Sequence, residues 1–141
     1  MKKSKIPESN IIMKVVLDCN VIIFAGLTDG ICRKVLFDVL KNHKLFVSED
    51  ILLEYKEVIL RDKFKNVKNY LLSLIKVICE ISELKTTEKH GFTLPDINDL
   101  IYLDTALSAN ADYLITGNIK DFPDNPYKNV RIITPSQFLD L

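Results

Sequence analysis

Residues 14–17 and 21–24 form an almost wholly apolar, β-branched stretch, interrupted by the polar side chains of Asp18 and Asn20. Apolar side chains at successive rather than alternate positions are what a strand buried on both faces needs. Such a strand must have helices above and below it, which leaves few solutions besides a parallel sheet sandwiched between helical layers. Its polar residues are then expected at the carboxyl end, the edge where open α/β sheets bind their ligands. Asp18 belongs to that edge.

The remainder of the chain keeps the alternation. Thr28-Asp29-Gly30 supplies a turn and cap, and Val35, Leu36, Val39 and Leu40 mark a helix ending near Asn42. A short strand follows over 44–47. Ser48 is a good N-cap for a helix over 49–61, with Ile51, Leu52, Tyr55, Val58 and Ile59 on one face. At about 100° per residue, Glu54 falls on the flank of that stripe and points along the edge of the core. Val67, Tyr70, Leu71, Leu74, Ile75, Ile78 and Ile81 give the clearest helical period in the chain, and 83–87 reads as a short strand. Pro95-Asp96-Ile97-Asn98 is turn chemistry that starts a helix over 99–109. Strands are expected at 111–116 and 130–133, with Pro135 opening a terminal helix. Strands alternating with helices predict an α/β fold with a central parallel sheet covered on both faces. Asn118 joins Asp18 at its carboxyl edge.

A chain of 141 residues with 48% apolar side chains suits one domain with a sizeable core. Residues 1–13, with Lys2, Lys3 and Lys5, read as a frayed N-terminal extension before a domain over 14–141. No apolar run approaches the roughly 18 residues that span a bilayer, so no membrane partner is expected. Cys19, Cys32 and Cys79 lack metal-ligand spacing and read as small buried hydrophobes in a reducing cytoplasm. His43 and His90 stand far apart with no plausible partner beside either, which argues against zinc or a Cys–His nucleophile. Lys+Arg and Asp+Glu each number 19. That balance counts against avid non-specific nucleic-acid binding, although acids gathered in one site leave basic groups free elsewhere.

Two strand-end patterns compete for Asp18. An apolar strand ending Asp-x-Asp marks haloacid-dehalogenase-type phosphatases, whose first Asp is a nucleophile. Here the second position is Asn20, which cannot serve as the general acid, and the downstream Lys and paired-Asp loop are missing. No Gly-rich phosphate cradle is present either.

The second pattern fits better. Leu17-Asp18-Cys19-Asn20-Val21, Ser48 through Glu54-Tyr55, Asp99 seven residues before Ala106, Ala111-Asp112-Tyr113-Leu114-Ile115-Thr116-Gly117-Asn118 and Asp121-Phe122-Pro123 occur in this order. Over residues 14–138 the sequence resembles the PIN domain, and within it the branch of toxin components of toxin–antitoxin systems. The resemblance implies a three-layer α/β/α fold and Mg²⁺- or Mn²⁺-dependent cleavage of RNA. It implies acidic, metal-holding roles for Asp18, Glu54 and Asp99, with Asn20, Thr116 and Asn118 orienting carboxylates or water behind them. Many PIN domains carry a fourth acid where this chain has Asn118. Related toxins with a Thr-x-Asn-x-x-Asp-Phe pattern suggest that Asp121 supplies the missing charge, while its plain reading is a cap before Phe122-Pro123. Asp104, five helical residues from Asp99, is rotated by about 140° and points elsewhere.

Elementary electrostatics agrees. Carboxylates ~4 Å apart repel by about 4 kcal/mol per pair at an effective dielectric near 20, so a cluster needs a cation or protons. All-oxygen ligation without His or Cys suits Mg²⁺ or Mn²⁺. Lys63 and Lys65, in the run Arg61-Asp62-Lys63-Phe64-Lys65, together with Lys120 and Arg33, are the candidate RNA contacts; the run also reads as a solvated connector. The expected function is therefore a metal-dependent endoribonuclease with a cognate antitoxin, working as a homodimer or higher oligomer. A catalytically weak PIN-like RNA- or protein-binding module and a phosphatase-like hydrolase using Asp18 are the alternatives.

Overall fold

Strand β1 (Lys14–Leu17) lies at the centre of the sheet, and Val15, Val16 and Leu17 are wholly buried, as a strand covered on both faces requires. The computed structural model describes residues 11–141; of the expected N-terminal extension, residues 1–10 lie outside the described residues. At its other end Met13 is already tied down, its backbone N–H donating to His43 Nδ1 at 3.0 Å and its carbonyl accepting from Lys44 N at 2.9 Å.

Asp18 ends β1 and at once caps helix α1 (Cys19–Leu27). Residues 21–24, expected to prolong the strand, are therefore helical. The correction has a physical reason: α1 buries Cys19, Val21, Ile22, Ile23, Ala25 and Gly26, so it is apolar nearly all round and lacks the one-sided period of a surface helix. The weak helix propensity of its β-branched residues is overridden by the cap and by packing. Helices α2 (Ile31–Asn42), α3 (Glu49–Ile59) and α4 (Lys68–Ile81) follow, with β2 (Lys44–Val47) between α2 and α3. The expected strand at 83–87 is only the two-residue β3 (Glu83–Leu84). A 3₁₀ turn, Ile97–Asp99, leads into α5 (Leu100–Ser108); β4 (Tyr113–Ile115), β5 (Arg131–Ile133) and α6 (Pro135–Leu139) complete the chain.

The five strands are all parallel and lie in the order β3-β2-β1-β4-β5. The chain first steps outward from β1 through β2 to β3, then crosses back to β4 on the other side of β1. Right-handed crossovers put helices on opposite faces when the direction reverses, giving the three-layer α/β/α arrangement. Helix α1 packs against α2, α3 and α4, while α5 lies along β1, β2 and β4. The reversal makes a crevice between the carboxyl ends of β1 and β4, the position where such sheets bind ligands.

Two of the three cysteines depart from expectation. Cys19 is buried, but Cys32 is half-buried and Cys79 is exposed on α4. The histidines do have partners: His43 Nε2 lies 3.4 Å from Asp38, and His90 Nε2 shares a 3.2 Å hydrogen bond with Ser108. No helix is long and apolar enough to cross a membrane.

Candidate active site

A pocket of about 240 Å³ opens at the β1/β4 crevice. Asp18, Glu54, Asp99 and Asp121 all line it, together with Asn20 and Asn118. Each acid comes from a different segment. Asp18 stands at the end of β1, Glu54 in the middle of α3, Asp99 at the entrance to α5, and Asp121 in the 3₁₀ turn Ile119–Asp121 after β4.

Asp18 is the most firmly held. It is only 8% exposed, and its Oδ2 accepts a 2.6 Å hydrogen bond from Thr116 Oγ1 across the crevice. Its Oδ1 accepts from the Asn20 backbone N–H at 3.4 Å, the weaker contact that caps α1. Thr116 in turn accepts from the Asn118 N–H at 3.1 Å, so Asp18, Thr116 and Asn118 form one chain of hydrogen bonds. Burial raises the Asp18 carboxyl above its ordinary value, against the opposing effect of the Thr116 bond.

Glu54 is anchored through its neighbour. Tyr55 is fully buried and its hydroxyl donates to the carbonyl of Leu17, the residue before Asp18. One bond thus ties the residue after Glu54 to the residue before Asp18. At the start of α3, Ser48 Oγ accepts from the Ile51 N–H and shares a 2.9 Å hydrogen bond with Thr105 of α5, which links the helices that carry Glu54 and lead from Asp99.

Asp99 carries the clearest electrostatic mark. Its carboxyl is pushed from 3.8 up to about 7, first by burial and then by the charges of Asp18, Asp96, Asp121 and Glu54. Glu54 is also raised, by burial and by Glu57, with Arg61 acting in the opposite direction. The acids therefore act on one another as a group. Among the described residues no three His, Cys, Asp or Glu side chains converge closely enough to hold an ion as they stand. Like charges repel, so drawing these carboxylates together needs either protons or a cation. The donor set fits a hard divalent ion: it is all oxygen, and the Cys19 thiol in the same wall is kept protonated, pushed up to about 12 mainly by burial.

Asp96 and Tyr102 were not among the expected site residues, while Arg61 and Phe64 belong to the run already read as a candidate RNA contact. Asp96 lines the pocket as a fifth acid, and Arg61 and Phe64 stand beside Lys63 at its rim. Tyr102 closes the inner wall. Asp96 was visible as a turn residue three before Asp99; nothing in its spacing separated a cap from a pocket wall. Of the candidate RNA contacts only Lys63 lines the pocket, while Lys65 and Lys120 are exposed outside it. Arg33 is engaged elsewhere, donating to the Ala25 carbonyl at 2.7 Å and lying 5.1 Å over the Tyr70 ring. Asp104 does point away, accepting from the His90 N–H at 3.1 Å.

The family model of the PIN domain matches residues 14–120. Among solved structures, a chain of VapBC2 from Rickettsia felis, crystallised with a DNA fragment from their promoter, is 21% identical over 86% of this chain and 98% of its own, with a TM-score of 0.60. A chain of VapBC-1 from nontypeable Haemophilus influenzae is 21% identical over 88% of this chain and 99% of its own, with a TM-score of 0.57. At this identity the likeness is one of fold. No curated protein matches the sequence.

Proposed function

The chain belongs to the PIN domain family, and from that premise we propose that it is a metal-dependent endoribonuclease, the toxin component of a toxin–antitoxin module. Its substrate is RNA, hydrolysed at phosphodiester bonds in the acidic pocket. The observation that carries this reading is the convergence of Asp18, Glu54, Asp99 and Asp121, from four separate segments, on one pocket at the sheet's switch point.

In this reading Asp18, Glu54 and Asp99 hold Mg²⁺ or Mn²⁺, with Asp121 adding charge beside Asn118. The cation supplies positive charge against the phosphate and makes a water more acidic. The remaining work falls to the protein. Thr116 and the Asn20 N–H fix the orientation of Asp18. The Asp99 carboxyl, pushed up to about 7 by burial and the neighbouring acids in the absence of a cation, is the ligand whose ionisation the cation would favour most. Arg61 and Lys63 draw the RNA backbone to the rim, and Phe64 offers a ring on which a base stacks. Cys19 is buried and its thiol pushed up to about 12, which makes it a poor nucleophile.

The VapBC neighbours support a protein partner, proposed here as an antitoxin that covers the pocket and presents a cation to its acids. Self-association and a cytoplasmic site of action belong to the same proposal. Asn118 favours a second reading, a weakly catalytic RNA- or protein-binding module, because Asn adds no charge where many family members carry an acid.

Titrating Mg²⁺ into purified protein with single-stranded RNA and a small phosphate ester separates the readings. Metal-dependent RNA cleavage supports the nuclease, association without cleavage supports the binding module, and phosphate release supports a phosphatase using Asp18. Expression without a partner is expected to arrest growth, and Asp99→Asn to abolish the arrest. Harmless wild-type expression would sink the toxin role.

A further inference from the structure

Among the described residues, the Tyr102 hydroxyl is the buried side-chain polar group left without a hydrogen-bond partner. Tyr102 is 3% exposed and forms part of the inner wall of the acidic pocket. It follows Asp99 by three positions, so the two share a side of the chain entering α5. Its ring stacks on Tyr55 with centroids 6.5 Å apart, but the two hydroxyls have different fates. Tyr55 donates to Leu17, whereas the Tyr102 hydroxyl has beside it only the Cys19 thiol, a weak partner that falls short of hydrogen-bond geometry.

A buried hydroxyl without a partner is destabilising, and phenylalanine would fill the same space without that penalty. The hydroxyl is useful only to a group that arrives. Asp18 and Glu54 are the carboxylates whose charges it feels. Asp18 is already engaged by Thr116 and the Asn20 N–H. Glu54 has none of those bonds, is half-buried, and has a longer side chain able to turn inward.

We propose that Tyr102 is a positioning residue whose hydroxyl donates to the Glu54 carboxylate when a divalent cation draws that carboxylate into the pocket. The proposal rests on the cation-dependent reading of the site. The bond is charge-assisted and fixes the direction in which Glu54 presents its oxygens, as hydrogen bonds behind metal ligands generally do.

The test uses the metal alone. The chain has five tyrosines and no tryptophan, so its near-ultraviolet absorption reports tyrosine environments. A hydroxyl that acquires a carboxylate acceptor shifts that absorption to longer wavelength. Wild-type protein is expected to give a saturable difference spectrum on Mg²⁺ titration, and Tyr102→Phe to lose it. Mn²⁺ affinity, measured by calorimetry, should fall about tenfold or more in Tyr102→Phe. Its melting temperature without metal should not fall, since only an unpaired hydroxyl is removed; a purely structural Tyr102 would lower it. Glu54→Gln keeps the tyrosine and should also lose the difference spectrum, which keeps the test decisive if Tyr102→Phe folds poorly. Wild-type Mn²⁺ affinity in Tyr102→Phe, or a retained spectrum in Glu54→Gln, overturns the assignment of Tyr102 alone. Wild-type protein that binds no Mn²⁺ overturns this proposal together with the cation-dependent reading.

Discussion

Replacing Asp99 by asparagine should flatten the pH dependence of stability. An aspartate whose folded-state pKa lies above its unfolded value binds a proton more tightly when folded. Its contribution is therefore greatest below the ordinary 3.8 and is lost as pH rises to about 7. Unscreened, the loss between about pH 5 and about pH 8 would be about 2.7 kcal/mol. Asp99 is only half-buried, so solvent screening reduces the expected effect to about 1 kcal/mol. The amide introduced by Asp99→Asn cannot titrate, and the variant should lose about 1 kcal/mol less than wild type over that interval. Urea unfolding followed by circular dichroism reads this as about 0.5 M in midpoint, for a slope of about 2 kcal/mol per molar. Saturating Mn²⁺ should remove the difference from the wild-type side, because a ligating carboxylate is held ionised. Identical pH dependence in the two proteins would refute the idea that Asp99 sits in a shared acidic field.

Other expectations follow from the same contacts. Thr116→Val removes the donor to buried Asp18 and should cost about 1–3 kcal/mol in urea unfolding, with weaker Mn²⁺ binding; an unchanged midpoint would show that the 2.6 Å bond is dispensable. Tyr55→Phe leaves the Leu17 carbonyl without its side-chain donor, and should cost about 1–2 kcal/mol and lower RNA cleavage by loosening Glu54 relative to Asp18. Asp121→Asn should cut cleavage by a factor on the order of 10² if its charge completes the site, whereas a mere turn residue would leave the rate unchanged. Phe64→Ala should weaken single-stranded RNA binding by about 1–3 kcal/mol without altering Mn²⁺ affinity, and equal RNA affinity would exclude base stacking there.

The sheet was legible because β1 declares itself: Val15, Val16 and Leu17 are apolar on both faces, and only a doubly covered strand tolerates that. Helix α1 was not, because its side chains are apolar in nearly every direction and hide the helical period. The sign was there in Asp18, an N-cap residue immediately before the run. Asp18, Glu54 and Asp99 were legible as acids placed where strands end or helices flank the core. Asp96 stands three residues before Asp99 and Arg61 seven after Glu54, so each enters the pocket with its neighbouring acid; what local spacing does not encode is that these segments meet at one edge. Lys63 and Lys65 differ by two residues, yet only Lys63 lines the pocket; the composition of the run is blind to direction. Nothing in the sequence marks Tyr102; its distinction is a missing partner, a property of the folded packing alone.

A nuclease of this kind requires the acidic pocket to be a cation site. Anomalous diffraction from crystals equilibrated with Mn²⁺ locates that ion directly. The expected result is a peak in the β1/β4 crevice, with Asp18 and at least one of Glu54 and Asp99 at ligand distance, about 2.0–2.2 Å. A peak only elsewhere on the surface, or none at millimolar Mn²⁺, would contradict it.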